Sequence, residues 1–390
     1  MKKILIYLYR SSLRPIGGPI GYNYNLKCQF EAKKSKDICF IETLKKSDLI
    51  NERINKIKNS KLKQLLIIAK SVYKKTKMLY GFRHKSIVDL QNYDIVHFHS
   101  TIDMYNAKDD LKNYKGKVVL TSHTPTLPSK EIYDGLTDFE KKHLNFLYKN
   151  LFRIDEYSFK RADYIIFPCK EAEEPYYHNW KDYALFKANN QIKYRYLLTG
   201  TNPCIAKISC NDIRKRYKIP QSAFVVCYIG RHNEIKGYDN LKDIGKELLE
   251  KNDDLYILVA GKESPLKGLN HNRWIEVGWT DDPYSIINAS DVFLLPNKET
   301  YFDLILLEVL SLGKIVIASK TGGNKYFERF KNSGILLFEN CTGAIMEIEK
   351  MKNKAVGERQ LLENYNKELF KKYFTSSVFS DNYIKLITSL

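Results

Sequence analysis

Two short segments in the second half of the chain carry residue types and spacings suited to anion chemistry. The first reads Gly230-Arg231-His232-Asn233-Glu234-Ile235-Lys236-Gly237 and follows the apolar run Phe224–Ile229. Gly230 and Gly237 permit tight turns. Arg231 and Lys236 place two cations where a strand ends, and a paired Arg and Lys can clamp a diphosphate. The same loop also reads as a surface turn with two solvated cations. The second segment runs from Pro296 to Glu308 after the apolar run Val292–Leu295. A helix is expected to start near Asp303, with the backbone N–H groups of Phe302, Asp303 and Leu304 at its positive end, an anion site. Glu308 falls inside the otherwise apolar stretch Leu304–Leu312. A carboxylate there is costly unless it is paired or faces a ligand. A ribose diol would suit it; a structural Glu on the wet side of the helix is the other reading. In the first half, His97 and His99 alternate on one strand and share a face, either lining a cleft or hydrogen-bonded in the core. No carboxylate spacing near them or His123 supports zinc.

Short β-branched and aromatic runs must position these residues. In the first half they are Ile4–Tyr9, Ile38–Ile41, Ile95–Phe98, Val118–Thr121, Tyr164–Phe167 and Tyr194–Leu198. In the second they are Phe224–Ile229, Tyr256–Ala260, Trp274–Val277, Val292–Leu295, Ile315–Ala318 and Ile335–Phe338. Near-continuous apolar runs are expected for strands buried on both faces. Helical stretches such as Asp239–Glu250 and Asp303–Leu312 lie between them, so parallel sheets flanked by helices follow. Gly200-Thr201-Asn202-Pro203 closes the first series with turn chemistry. A basic helix, Asn211–Lys218, and Ile219-Pro220 precede the second. The fold class is α/β, with two Rossmann-like domains that bind ligands at the carboxyl ends of their strands.

The order of motifs resembles the family-four retaining glycosyltransferases of the GT-B fold, two Rossmann-like domains facing each other across a cleft. The resemblance rests on Gly-Arg-(x)4-Lys-Gly from Gly230, Ala260-Gly261, Val277-Gly278-Trp279, the segment ending Leu-Leu-Glu-Val-Leu-Ser-Leu-Gly at Gly313, and Thr321-Gly322-Gly323. Gly17-Gly18, Asp94 to Ser100, Thr121-Ser122-His123-Thr124 and Arg161-Ala162-Asp163 agree more loosely. It implies an acceptor-side domain over 1–200, a nucleotide-sugar domain over 201–372, and a closing helix over 373–390 that packs back on the first domain. It further implies that Arg231 and Lys236 hold the donor diphosphate and Glu308 the donor ribose. Gly17 and Gly18 approach the phosphate, His123 lies beside the donor sugar, and Gly278 and Trp279 lie near the nucleobase. Gly230, Phe302 and Leu304 complete the donor site.

One departure from that pattern matters. The family has Glu, seven residues, Glu; eight residues before Glu308 stands Thr300, with Glu299 one position early. The usual Gly-Phe-Gly is Tyr301-Phe302-Asp303. The carboxylate that grips the donor sugar is then Glu299 in a shifted loop, Asp303, or absent, and Asp303 also reads as a helix cap. No Asp-x-Asp motif occurs, which disfavours a metal-dependent enzyme. Arg231, Lys236 and the helix end would stabilise the leaving diphosphate instead. No cofactor is expected beyond a substrate nucleotide sugar, UDP-linked. The implied activity is sugar transfer to a glycan or polyprenyl-diphosphate-linked acceptor in bacterial surface polysaccharide synthesis. The alternative is a catalytically silent GT-B subunit partnering an active enzyme.

Composition bounds the rest. The 390 residues are 44% hydrophobic and 28% charged, which supports folded domains. Seven Cys are scattered without any C-x-x-C, so neither a disulfide framework nor a zinc site is indicated and a reducing cytoplasm fits. Met1-Lys2-Lys3 and the following apolar run mimic a signal peptide, but Arg10 interrupts it and a first strand is the better reading. The net charge of +19 is uneven: Thr43–Val88 holds 13 basic residues against Asp48 and Glu52. Within it, Leu62, Leu65, Leu66, Ala69, Val72, Tyr73 and Leu79 follow helical spacing among lysines. A basic amphipathic helix on an anionic membrane is one reading, an ordinary surface helix the other. Peripheral placement on the inner face of the plasma membrane follows from the first. Charge confined to one segment, with no recognised motif, argues against nucleic acid.

Overall fold

The computed structural model describes residues 2–9, 13–15, 18–41, 60–81 and 85–390. The described chain divides into two compact units. One comprises the described residues up to 167 with 179–195 and 386–390; the other comprises 168–178 and 196–385. Each is built on a six-stranded parallel sheet, as expected from the alternation of apolar runs and helices.

In the first unit the strands are β1 (Ile4–Tyr7), β2 (Ile38–Phe40), β3 (Ile95–Phe98), β4 (Lys117–Leu120), β5 (Tyr164–Phe167) and β6 (Tyr194–Tyr196), in the order β2-β1-β3-β4-β5-β6. The order reverses at β1 and β3, which pair in parallel with Ile4 opposite Ile95. In the second unit the strands are β7 (Phe224–Ile229), β8 (Leu255–Ala260), β9 (Trp274–Gly278), β10 (Val292–Leu295), β11 (Ile315–Ser319) and β12 (Ile335–Phe338), in the order β12-β11-β10-β7-β8-β9. Here the order reverses at β7 and β10, which pair in parallel through Val292 and Val226. Loops that leave such a reversal diverge to opposite faces of the sheet and open a crevice at the strands' carboxyl ends. The loops leaving β7 and β10 are the two segments that the sequence singles out.

The second sheet is framed from below. Asp291 Oδ2, just before β10, accepts from Val225 N of β7 at 2.8 Å and from Arg214 Nη2 at 3.0 Å. Arg214 also donates to the carbonyls of Ala289, Gln221 and Ala223. The helix Cys210–Arg216, basic by sequence, thus spends one buried arginine on locking the starts of β7 and β10 together. Above the sheet, helix Tyr238–Lys251 buries Leu241, Ile244, Leu248 and Leu249 against Val226, Ile257 and Trp274.

Glycines set how closely the upper loops approach one another. Gly237 has φ +64°, and a Cβ there would collide with the Pro296 carbonyl. Gly261, at φ +144°, lies against the Gly230 carbonyl in the same way. Gly278 also has a positive φ, +75°, but open space around it. Gly237→Ala should therefore cost at least about 3 kcal/mol, left-handed strain plus overpacking, and Gly278→Ala about 1–2 kcal/mol from strain alone. Denaturant unfolding of the two variants checks the difference.

Candidate functional site

In the second unit, β7 delivers Gly230 and Arg231 at its carboxyl end. Tyr228 Oη donates to the Arg231 carbonyl at 2.8 Å, which shapes the turn. The Arg231 side chain is exposed, and its guanidinium has no partner among the described residues. Lys236 differs. Its Nζ donates to both carboxylate oxygens of Asp303, at 2.7 and 2.9 Å. Asn297 Nδ2 donates to the same carboxylate. The two cations of the loop are thus unequal: one is open to an anion, the other already holds one.

Helix Leu304–Ser311 begins after Asp303, at the position expected. Asp303 occupies the cap position in extended conformation, yet its side chain makes no capping hydrogen bond. Its carboxylate turns to Lys236 and Asn297, so the reading of Asp303 as a simple cap is corrected. The N–H groups of the first turn keep the partial positive charge of a helix N-terminus.

The residues around the family's first Glu are placed as follows. Glu299 Oε1 lies 2.9 Å from His178 Nδ1, while Oε2 is buried with no hydrogen-bond partner. Thr300, at the position of that Glu, is fully buried, and its Oγ1 has no partner. Phe302 is buried and stacks on Phe327 at 5.7 Å. Gly322 and Gly323 press on the Thr300 and Tyr301 carbonyls, where no Cβ would fit. The segment 168–178 braces this side. Glu174 receives Lys325 Nζ and the Gly322 N–H, the latter at 3.3 Å, and Glu171 receives Arg329 at 3.1 Å. Asn297, His178 and Glu174 were not legible as site residues, because their partners lie elsewhere in the chain and no spacing announces them.

Glu308 sits on the second turn of the helix that Leu304 opens. Burial pushes its pKa from the ordinary 4.5 to about 7, and its carboxyl has no hydrogen-bond partner among the described residues. Cys204 and Tyr284 are its neighbours, and it helps to raise the pKa of both. At the end of β9, Gly278 is open and Trp279 is 78% exposed.

In the first unit, Gly17 lies outside the described residues. Gly18 opens helix Gly18–Ala32 with φ +72° and nothing near its α-carbon's free face. His123 follows β4 in a left-handed conformation, φ +62°, rare for a non-glycine residue. His99 Nδ1 lies 2.8 Å from His123 Nε2, and His97 Nε2 lies 2.9 Å from Thr121 Oγ1. His97 and His99 are buried and share a face as expected, with ring centroids 4.0 Å apart. Tyr22 of helix Gly18–Ala32 packs edge-on against His123 at 4.6 Å. Among the described residues, no group of three His, Cys, Asp or Glu side chains could hold a metal ion.

Two Rossmann-like units, each on a six-stranded parallel sheet, define a class, the GT-B architecture. Comparisons with known proteins agree. The family described as "Glycosyl transferases group 1" matches residues 223–351, and "Glycosyltransferase Family 4" matches residues 67–180. The structure of HepE from Anabaena in complex with UDP and glucose superposes with a TM-score of 0.61, at 14% identity over 100% of both chains. The O-antigen biosynthesis glycosyltransferase WclY of Escherichia coli is 29% identical over 126 residues, 30% of this chain and 34% of the relative. The UDP-Gal:alpha-D-GlcNAc-diphosphoundecaprenol alpha-1,3-galactosyltransferase of Escherichia coli is 28% identical over 143 residues, 33% of this chain and 37% of the relative. The chain spans about a third of the length of these curated relatives. It belongs to the family-four, group 1 glycosyltransferases.

Glu308 yields a pH test. Its folded pKa is raised, so ionisation costs stability as pH climbs from about 4.5 to about 7. Glu308→Gln cannot ionise. Its unfolding midpoint should gain on the wild type across that window, with the gap smallest at the acid end and level above it.

Proposed function

We propose that this chain is a retaining glycosyltransferase that moves a hexose from a UDP-sugar to a glycan or polyprenyl-diphosphate-linked acceptor in bacterial surface polysaccharide assembly. The observation that carries the reading is the Glu308 carboxyl, half-buried on the switch-point helix without a hydrogen-bond partner among the described residues. A ribose diol would supply the two donors it lacks, and donor binding would draw it to the ionised form. The open guanidinium of Arg231 would meet the diphosphate with charge-assisted hydrogen bonds. The N-terminus of helix Leu304–Ser311 would add its N–H groups, so charge developing on the leaving diphosphate is met without a metal. Lys236 would leave Asp303 for the diphosphate. Asp303, once released, would be available to the sugar hydroxyls in place of the family's first Glu, and Thr300 Oγ1 is a second candidate. Gly278 and Trp279 would flank the nucleobase. Retention would follow from front-face attack assisted by the leaving phosphate, since no carboxylate is placed as a nucleophile.

The acceptor reading draws on the first unit. Helix Ser60–Tyr80 is anchored at its end: Leu79 is buried with Tyr105, Tyr148 and Leu151, and Lys75 Nζ donates to buried Glu140 at 3.0 Å. Of the expected apolar stripe, Leu79 therefore serves the core, while Leu62, Leu65, Leu66 and Tyr73 are exposed, as is Ile67. Residues 43–59 and 82–84 of the basic segment lie outside the described residues. No described helix is long and apolar enough to cross a membrane. Exposed leucines among lysines on an anchored helix suit the anionic inner leaflet, where a lipid-linked acceptor would be met.

A second reading, a catalytically silent subunit, draws on Thr300 in place of the first Glu and on Lys236 being held by Asp303. Incubation with a panel of nucleotide sugars, reading the nucleoside diphosphate released, separates the two. Turnover with at least one donor supports the first reading; none, with UDP still bound, supports the second.

For the clamp, Arg231→Ala and Lys236→Ala should each slow transfer at least about tenfold, the size of one charge-assisted contact. Asp303→Asn frees Lys236 and should tighten binding of free UDP a few-fold, by calorimetry, because a partly buried ion pair no longer competes. Glu299→Ala should leave that affinity unchanged.

For the membrane face, the protein should sediment with anionic vesicles, weakly with neutral ones, and less at high salt. Reversing Lys63, Lys70, Lys74 and Lys77 to Glu should abolish binding yet spare hydrolysis of the donor. Lys75 is left intact because Glu140 needs it.

A further inference from the structure

His99 and His123 share one hydrogen bond, 2.8 Å from His99 Nδ1 to His123 Nε2, and one proton must lie in it. Both rings are neutral: burial holds His99 well below its ordinary range and takes His123 to about 3. Each neutral ring carries one proton, so two arrangements exist. If His123 donates through Nε2, His99 must carry its proton on its own Nε2. That atom is buried and has no hydrogen-bond partner among the described residues. An orphaned buried N–H is costlier and rarer than an orphaned lone pair. The other arrangement puts the His99 proton on Nδ1, leaves only a lone pair at its Nε2, and moves the His123 proton to Nδ1.

We propose that His99 is a positioning residue that holds His123 as the tautomer protonated at Nδ1. The surroundings leave the His99 ring little freedom. His97 packs on it at 4.0 Å while bonded to Thr121, and Tyr22 lies 5.2 Å away on another side. His123 is pinned in turn by its left-handed backbone and by Tyr22. Local backbone strain of this kind is kept where the surroundings over-determine it and function uses it. His123 then acts as a neutral N–H donor toward a hydroxyl or carbonyl oxygen and not as an imidazolium acid. That role in transfer rests on the reading that His123 lies beside the donor sugar; the tautomer does not.

The test uses the full chain labelled with 15N-histidine. Two-bond ring correlations should show His123 protonated at Nδ1 and bare at Nε2. A His123 protonated at Nε2 overturns the proposal. His99→Asn keeps an N–H donor at the place of Nδ1, whereas His99→Leu has the same size and none. The Asn variant should retain the His123 ring pattern and transfer within about threefold of wild type. The Leu variant should lose the pattern and slow transfer about tenfold, the worth of one neutral hydrogen bond. A lost ring pattern with transfer unchanged would overturn the role in the reaction. If the Leu variant fails to fold, loss of the wild-type ring pattern in the folded Asn variant overturns the proposal instead. A wild type that turns over no nucleotide sugar would sink the donor reading, while the ring spectrum still decides the tautomer.

Discussion

Absence of side chain at four glycines governs the second unit. Gly237 against Pro296, Gly261 against Gly230, and Gly322 and Gly323 against Thr300 and Tyr301 bring the loops after β7, β8, β10 and β11 to within backbone contact. No other residue type fits at these points, because a Cβ would occupy the space of a carbonyl. The loops therefore form one layer over the sheet rather than separate surface excursions. That layer brings Lys236 within reach of Asp303, 67 positions away in sequence.

The electrostatics of the layer follow from this crowding. A carboxylate at a helix N-terminus is ordinarily a cap or a stabilising charge. Asp303 is instead drawn off by an ammonium that the glycine contact has carried to it. The helix end keeps its unpaired N–H groups, and Arg231 is the open cation. The unit thus holds an internal anion on Lys236, and under the proposed reading exchange of that anion for a substrate diphosphate would conserve charge pairing. Buried atoms without partners, Glu299 Oε2 and Thr300 Oγ1, and the half-buried Glu308 carboxyl lie on the segment that follows β10.

The first unit uses aromatic packing for the same end. Three histidines and Tyr22 from three elements interlock, and burial keeps the rings neutral. On its surface, one helix divides its labour along its length. Its last turn is fastened by Leu79 and by the Lys75–Glu140 pair, and its first turns expose leucines among lysines.

The sequence by itself determined the elements. All twelve strands overlap the apolar and aromatic runs that place them; most are buried on both faces and so near-continuously apolar, and this signal is local. Helix Leu304–Ser311 was legible from its own apolar stretch, and Arg231 from the glycine-flanked turn that follows a strand. Tertiary structure decided the partners. That Lys236 is held by Asp303, that Glu299 meets His178, that Arg214 is a buried girder in a basic helix, and that Leu79 serves a core while Leu65 does not, all depend on which loops a sheet order brings together. Strand order and loop approach arise from packing across tens to hundreds of residues, and side-chain spacing carries no record of them.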